Sequence, residues 1–152
     1  MTSPFQKWKS SSRSDYYDCV LLDCSGSMSR VSKNSVQGLP QATLMDYVTT
    51  YLLESLSAIG TISKNTLIVP FDTHVRGGLT YDLVTFRGPQ IWRYKVRDGN
   101  KGLFTPDGGT NIIEAIRYAQ SRGEGSILLI TDFGERDTQE IVGQTMDVIF
   151  VD

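Results

Sequence analysis

Cys19-Val20-Leu21-Leu22-Asp23-Cys24-Ser25-Gly26-Ser27 is the stretch on which the reading of the fold turns. Its apolar run is continuous, not alternating, which is the pattern of a strand buried on both faces, as in a parallel sheet covered by helices. The run stops at Asp23, and serines follow at the second and fourth positions beyond it. Three hard oxygen donors therefore leave the end of one buried strand together. Hard divalent cations take oxygen ligands, and open α/β sheets bind ligands outside the carboxyl ends of their strands. The rest of the chain is expected to frame this crevice if it brings further oxygens to the same edge.

Two other stretches do so. Ser126-Ile127-Leu128-Leu129-Ile130-Thr131-Asp132 is a second continuous apolar run ending in Asp. Pro106-Asp107-Gly108-Gly109-Thr110 is a glycine-rich turn, and Asn111 to Glu114 behind it has the spacing of a capping box. Ile112, Ala115, Ile116 and Ala119 then mark one face of a helix to about Arg122. Earlier in the chain, Pro40 opens an amphipathic helix to about Ile59, with Thr43 and Asp46 as a cap and Gly60 as its stop. Thr66 to Phe71 reads as a strand that Pro70 places near an edge. His74 to Thr80 reads as a short antiparallel strand, Asp137 as the cap of a short helix to about Gln144, and Met146 to Val151 as the last strand. Strand and helix alternate throughout. The expected fold is α/β: a three-layer sandwich with a mainly parallel, twisted sheet and helices on both faces.

The chain has 152 residues, 39% hydrophobic and 21% charged, enough for one soluble domain with a true core. A formal net charge of −2 argues against a generic polyanion binder. No apolar run approaches the roughly 20 residues that span a bilayer. Residues 1–15 are polar, with Ser10, Ser11 and Ser12 beside Lys7, Lys9 and Arg13, and read as a flexible basic tail without the apolar core of a secretory signal. The domain proper is expected over 16–152. Cys19 and Cys24 lie along one strand, too far apart for a disulfide, and read as reduced thiols in a cytoplasmic protein. Residues 81–104 read as an insertion with a hairpin at about 91–104, where Ile91 to Val96 alternate apolar and basic side chains before the Asp98-Gly99 turn.

The Asp23-Cys24-Ser25-Gly26-Ser27 pentapeptide, the Gly108-Gly109-Thr110 turn and Ile130-Thr131-Asp132, in this order, resemble the von Willebrand factor A domain with its metal-ion-dependent adhesion site. The resemblance covers about residues 17–151. It implies the Rossmann-like fold of that family and a metal set of Asp23, Ser25, Ser27, Thr110 and Asp132. It implies that Ser25, Ser27 and Thr110 bind the ion, Thr110 directly or through water, while the two Asp act through water or orient the serines. It also implies an open coordination position for an Asp or Glu of a partner protein. Intracellular members of the family often serve as adaptors of larger machines, AAA+ ATPases and metal chelatases among them. Neutral hydroxyls leave the cation much of its charge, so an incoming carboxylate gains a strong contact. Mg²⁺ suits such a set, Mn²⁺ also, and Ca²⁺ less well. Two features depart from the family: the chain stops at Val151-Asp152 where a further helix is usual, and the 81–104 segment is added.

Other readings stand beside this one. Asp and Ser are common turn formers. Asp72, at the end of the Thr66–Phe71 strand, reads as a turn residue or as a support for the site. An Asp after the first strand is the phosphoryl acceptor of haloacid dehalogenase-type phosphatases, but their acid at the second position beyond is here Ser25, so a hydrolase using Asp23 is the enzyme alternative. Trp92 to Arg97 mixes aromatics with cations, and a nucleic-acid-binding module using that hairpin and the basic tail is the third. His74 is the only histidine, which leaves no zinc pattern. The favoured expectation is a non-enzymatic, metal-dependent adaptor.

Overall fold

The computed structural model describes residues 6–8, 16–33, 41–81, 104–123, 125–143 and 146–152. Six strands make one sheet: β1 (Gln6–Trp8), β2 (Cys19–Asp23), β3 (Leu67–Phe71), β4 (Leu79–Thr80), β5 (Ile127–Thr131) and β6 (Asp147–Phe150), in the order β1-β6-β5-β2-β3-β4. The four inner strands β6, β5, β2 and β3 are parallel. β1 and β4 close the two edges antiparallel.

Every side chain of β2, β3 and β5 is buried, as their unbroken apolar runs require. Because successive side chains point to opposite faces, they split between two apolar clusters. Val20, Leu22, Ile68, Leu128, Ile130 and Ile149 pack on one face against the helix that follows β2, here α1. That helix runs without a break through Leu44–Tyr47, Val48–Leu52 and Leu53–Ala58. Cys19, Leu21, Val69, Phe71, Leu129 and Val148 pack on the other face against α2 (Ile112–Ser121) and the end of α3 (Glu135–Val142). Each buried Leu, Ile or Val contributes about 1.5–3 kcal/mol. An exposed ion pair such as Arg136–Glu140 contributes about 1 kcal/mol at most. The two sheet faces therefore hold the fold together.

The connections place the site. α1 carries the chain from β2 outward to β3 over one face. α2 carries it back across the sheet to β5 over the other face, and α3 continues in that direction to β6. Opposite directions on opposite faces give all three crossovers the same hand. The reversal falls between the neighbouring strands β2 and β5, whose outgoing connections lead to opposite faces of the sheet. Ligands of open α/β sheets bind at such a reversal.

Several boundaries differ from those the sequence suggests. α1 begins at Leu44 and not at Pro40, because Thr43 is extended and caps it: its side chain accepts from the Asp46 amide at 3.1 Å, and Asp46 accepts from the Thr43 amide at 3.0 Å. Its middle turn, Val48–Leu52, is a π turn. Three consecutive β-branched residues stand there, poor helix formers because their χ1 is restricted, and the Thr49 hydroxyl donates to the Met45 carbonyl at 2.7 Å. Gly60, at φ +79, ends the helix as expected. The strand expected over 74–80 shrinks to Leu79–Thr80. It reaches only Leu67 and Ile68, which leaves Pro70 where no outer strand needs its missing amide. α3 starts at Glu135, behind a Gly134 turn, and not at an Asp137 cap. The segment read as a tail supplies β1, whose Gln6, Lys7 and Trp8 pair with Phe150, Ile149 and Val148 and cover the outer edge of β6. The hairpin expected over 91–104 lies outside the described residues apart from Phe104, which is buried in the α1 cluster. Cys19 and Cys24 are buried, and no disulfide joins them. Among the described residues no helix is long and apolar enough to cross a membrane.

Candidate metal centre

β2 delivers Asp23 to this reversal completely buried. One carboxylate oxygen accepts the Ser25 amide at 2.8 Å, and the other accepts the Thr131 hydroxyl at 2.6 Å. Both donors are neutral. Burial drives the Asp23 pKa up to about 6, and the nearby Asp132 carboxylate adds to the rise, against the lowering by Thr131 and Ser25. Beyond Asp23 the chain enters a short 3₁₀ turn, Gly26–Ser29, with Cys24 and Met28 fully buried behind it. These two apolar anchors turn the polar edge of the loop outward. Ser25 is nearly buried, Ser27 is exposed, and their hydroxyl oxygens lie 3.1 Å apart. The Cys24 thiol has its pKa raised by burial, the charge of Arg76 opposing, so it is a packing group and not a nucleophile.

Asp132 follows β5 with its side chain 4% exposed, 3.7 Å from the Arg30 guanidinium. Arg30 also lies 3.5 Å from Asp152, which Lys33 holds at 2.7 Å. Thr131 links the two strand ends: it donates to Asp23 and accepts the Phe133 amide at 3.0 Å.

The Thr110 turn joins the first loop through its backbone. The Gly26 amide donates to the Gly108 carbonyl, and the Asp107 amide to the Cys24 carbonyl, each at 2.9 Å. Thr110 is half-buried between this seam and α2, where the Asn111 side chain caps the Glu114 amide at 3.1 Å. Asp72 braces the turn from the end of β3. Its carbonyl accepts the Asn111 amide at 2.8 Å, and its carboxylate binds both the His74 amide and Arg76. Its carboxylate thus fills the turn role, while its carbonyl holds the residue that caps α2.

Asp23, Ser25 and Ser27 therefore share one loop, Asp132 stands beside Asp23, and the turn carrying Thr110 is bonded to that loop. Sequence reasoning missed Thr131, Arg30 and Arg76. Thr131 stands next to Asp132 at a strand end, and that position is the signal that would have found it. The two arginines carry no pattern.

The chemistry of the donors suits a small hard cation. An octahedral ion with oxygens at about 2.1 Å has adjacent ligands about 3.0 Å apart, and the two serine hydroxyls stand at 3.1 Å. Nearby positive charge would also relieve the burial of Asp23. Among the described residues no three His, Cys, Asp or Glu side chains gather in one place, so a cation here would rest on hydroxyls with two carboxylates. Comparison with protein-family models, curated proteins and solved structures returns no match for the chain.

Proposed function

We propose that the chain is a von Willebrand factor A-type module that holds one divalent cation, Mg²⁺ or Mn²⁺, and presents it to an Asp or Glu of a partner protein. The observation that carries this reading is the pairing of two serine hydroxyls, 3.1 Å apart, with a buried Asp23 at the strand reversal. Ser25, Ser27 and Thr110 would hold the ion, and Asp23 and Asp132 would balance its charge. The ion supplies a centre of positive charge for a carboxylate. The residues of the chain do the rest: Thr131 and the Ser25 amide fix Asp23, the buried Cys24 and Met28 fix the loop, and Ser27 faces the solvent from which a partner arrives.

The same geometry weighs against hydrolysis by Asp23. A nucleophile must reach its substrate, and here the carboxylate is buried with both oxygens engaged.

Thermal unfolding in EDTA, Mg²⁺, Mn²⁺ and Ca²⁺ tests the proposal. At a cation concentration of about 100 times Kd, binding adds about 2.7 kcal/mol, a rise of several degrees in Tm for a domain of this size. Mg²⁺ and Mn²⁺ are expected to raise the Tm of the wild type and not of Ser27→Ala. A wild type that melts identically in EDTA and in every ion would refute the cation site. Peptides carrying Asp or Glu, set against their Asn or Gln forms, then test the partner chemistry in Mg²⁺ and in EDTA.

A further inference from the structure

We propose that Arg76 is the positioning residue of this site: its guanidinium clamps the loop of Thr105 and Asp107 onto the Asp23–Ser27 loop and so sets where Thr110 stands relative to Ser25 and Ser27. The consequence for the cation rests on the function proposed above. The clamp itself does not.

Arg76 is anchored before it reaches across. Its amide donates to the Pro70 carbonyl at 3.0 Å, and Phe71 bridges Val75, so the turn after β3 folds back on its own strand. From that base the side chain, 11% exposed, extends along the strand ends. Nη1 donates to the Thr105 carbonyl at 2.6 Å. Nη2 lies 3.1 Å from the Cys24 carbonyl, 3.2 Å from the Asp107 carbonyl and 3.1 Å from the Asp72 carboxylate. One planar group thus binds the loop leaving β2, the loop entering α2 and the turn leaving β3.

Two backbone bonds, Gly26 to Gly108 and Asp107 to Cys24, join the same loops, but they are neutral. Hydrogen bonds with one charged partner are about twice as strong as neutral ones, and Arg76 makes three such contacts to these loops, with the Thr105, Asp107 and Cys24 carbonyls, against those two. The seam between the loops therefore depends on the guanidinium. Lysine does not replace it, because an ammonium is a point charge without the fixed fork that meets several acceptors in a plane. The Asp72 carboxylate balances the charge of Arg76, so the clamp adds rigidity without placing a free cation against the site.

The test uses the whole chain as wild type, Arg76→Lys and Arg76→Met, with amide hydrogen exchange followed by NMR and Mn²⁺ binding measured by titration. The Gly26 and Asp107 amides are expected to exchange much faster in both variants, while the amides of β2 and β5 keep their protection. Mn²⁺ affinity is expected to fall about 10- to 100-fold, the usual loss when a partner that orients metal ligands is removed. A purely structural role would lower global stability and slow-exchange protection together without this split. Retained protection of Gly26 and Asp107 in Arg76→Met overturns the inference, and so does wild-type Mn²⁺ affinity in Arg76→Lys, which would mean that charge alone suffices. Should Arg76→Met fail to fold, the milder Arg76→Lys decides on the same two readouts. If the wild type itself binds no Mn²⁺, the cation reading fails while hydrogen exchange still judges the clamp.

Discussion

Gly108 turns at φ +78, and a Cβ placed there would lie 3.0 Å from a carboxylate oxygen of Asp72. That carboxylate is held by Arg76 and by the His74 amide, so it has little freedom to move aside. Gly108→Ala is expected to cost the left-handed penalty of about 1–2 kcal/mol and to shift the Thr110 turn. Gly26→Ala meets the same loop at an ordinary 3.6 Å and should be close to neutral. Urea unfolding of the two variants separates them, and equal losses would contradict this account. Asp23 gives a second prediction. Its folded pKa of about 6 stands above the ordinary 3.8, so the folded state binds the proton more tightly than the unfolded state. The resulting stability is complete below pH 3.8 and is lost as pH rises through 6, a change of about 3 kcal/mol. The stability of wild type minus Asp23→Asn, followed by denaturant unfolding across that range, should fall with rising pH and then level off. Saturating Mg²⁺ should remove the fall, because the ion competes with the proton. A difference that grows with pH would refute the assignment. Asp23, Ser25, Ser27 and Asp132 can be picked out in the sequence because each stands where a buried apolar run meets a polar loop. Arg76 cannot, since its partners return to it only after the fold brings distant loops together.

The elements themselves follow from the residues wherever both faces of a segment are apolar. β2, β3 and β5 match their continuous runs to within a residue or two, and the Thr43 and Asn111 caps fall where their spacing puts them. Readings that rest on local polarity alone do less well. The two-residue β4 and the β1 strand drawn from a polar segment owe their pairing to neighbours, which propensity does not see. The π turn of α1 is also invisible to a 3.6-residue period, although Leu44, Val48, Leu52 and Leu56 recur every fourth residue and all are buried. Four residues of regular α-helix overshoot a turn by about 40°, and the wider π turn absorbs that drift. Deleting Thr50 is therefore expected to leave Leu52, Leu53 and Leu56 on the core face of an ordinary helix. The deletion should cost far less than one at Leu56, where the remaining helix would rotate out of phase. Circular dichroism and Tm of the two deletions decide the point, and comparable loss would mean that the wide turn is not a local accommodation.

At the scale of the whole molecule, the fold is a sheet whose central strand finds its neighbours far away in sequence: β2 pairs with β3 on one side and with β5 on the other. The bond from Thr131 to Asp23 joins residues 108 positions apart. Contacts of such separation are slow to form, because loop closure precedes any reward from them. The candidate site thus has no counterpart in a partly folded chain that lacks β5, and a cation would meet its full set of oxygens only when folding is nearly finished. Ligands that recognise only the native arrangement leave the rate of folding unchanged and slow the rate of unfolding. In stopped-flow experiments Mg²⁺ is expected to lower the unfolding limb of the chevron and to leave the refolding limb where it stands in EDTA. Faster refolding in Mg²⁺ would mean that the Asp23–Ser27 loop captures the ion before its neighbours arrive. A native-only site would make the ion a brake on unfolding, so that the lifetime of the folded domain, more than its speed of formation, would follow the cation concentration around it.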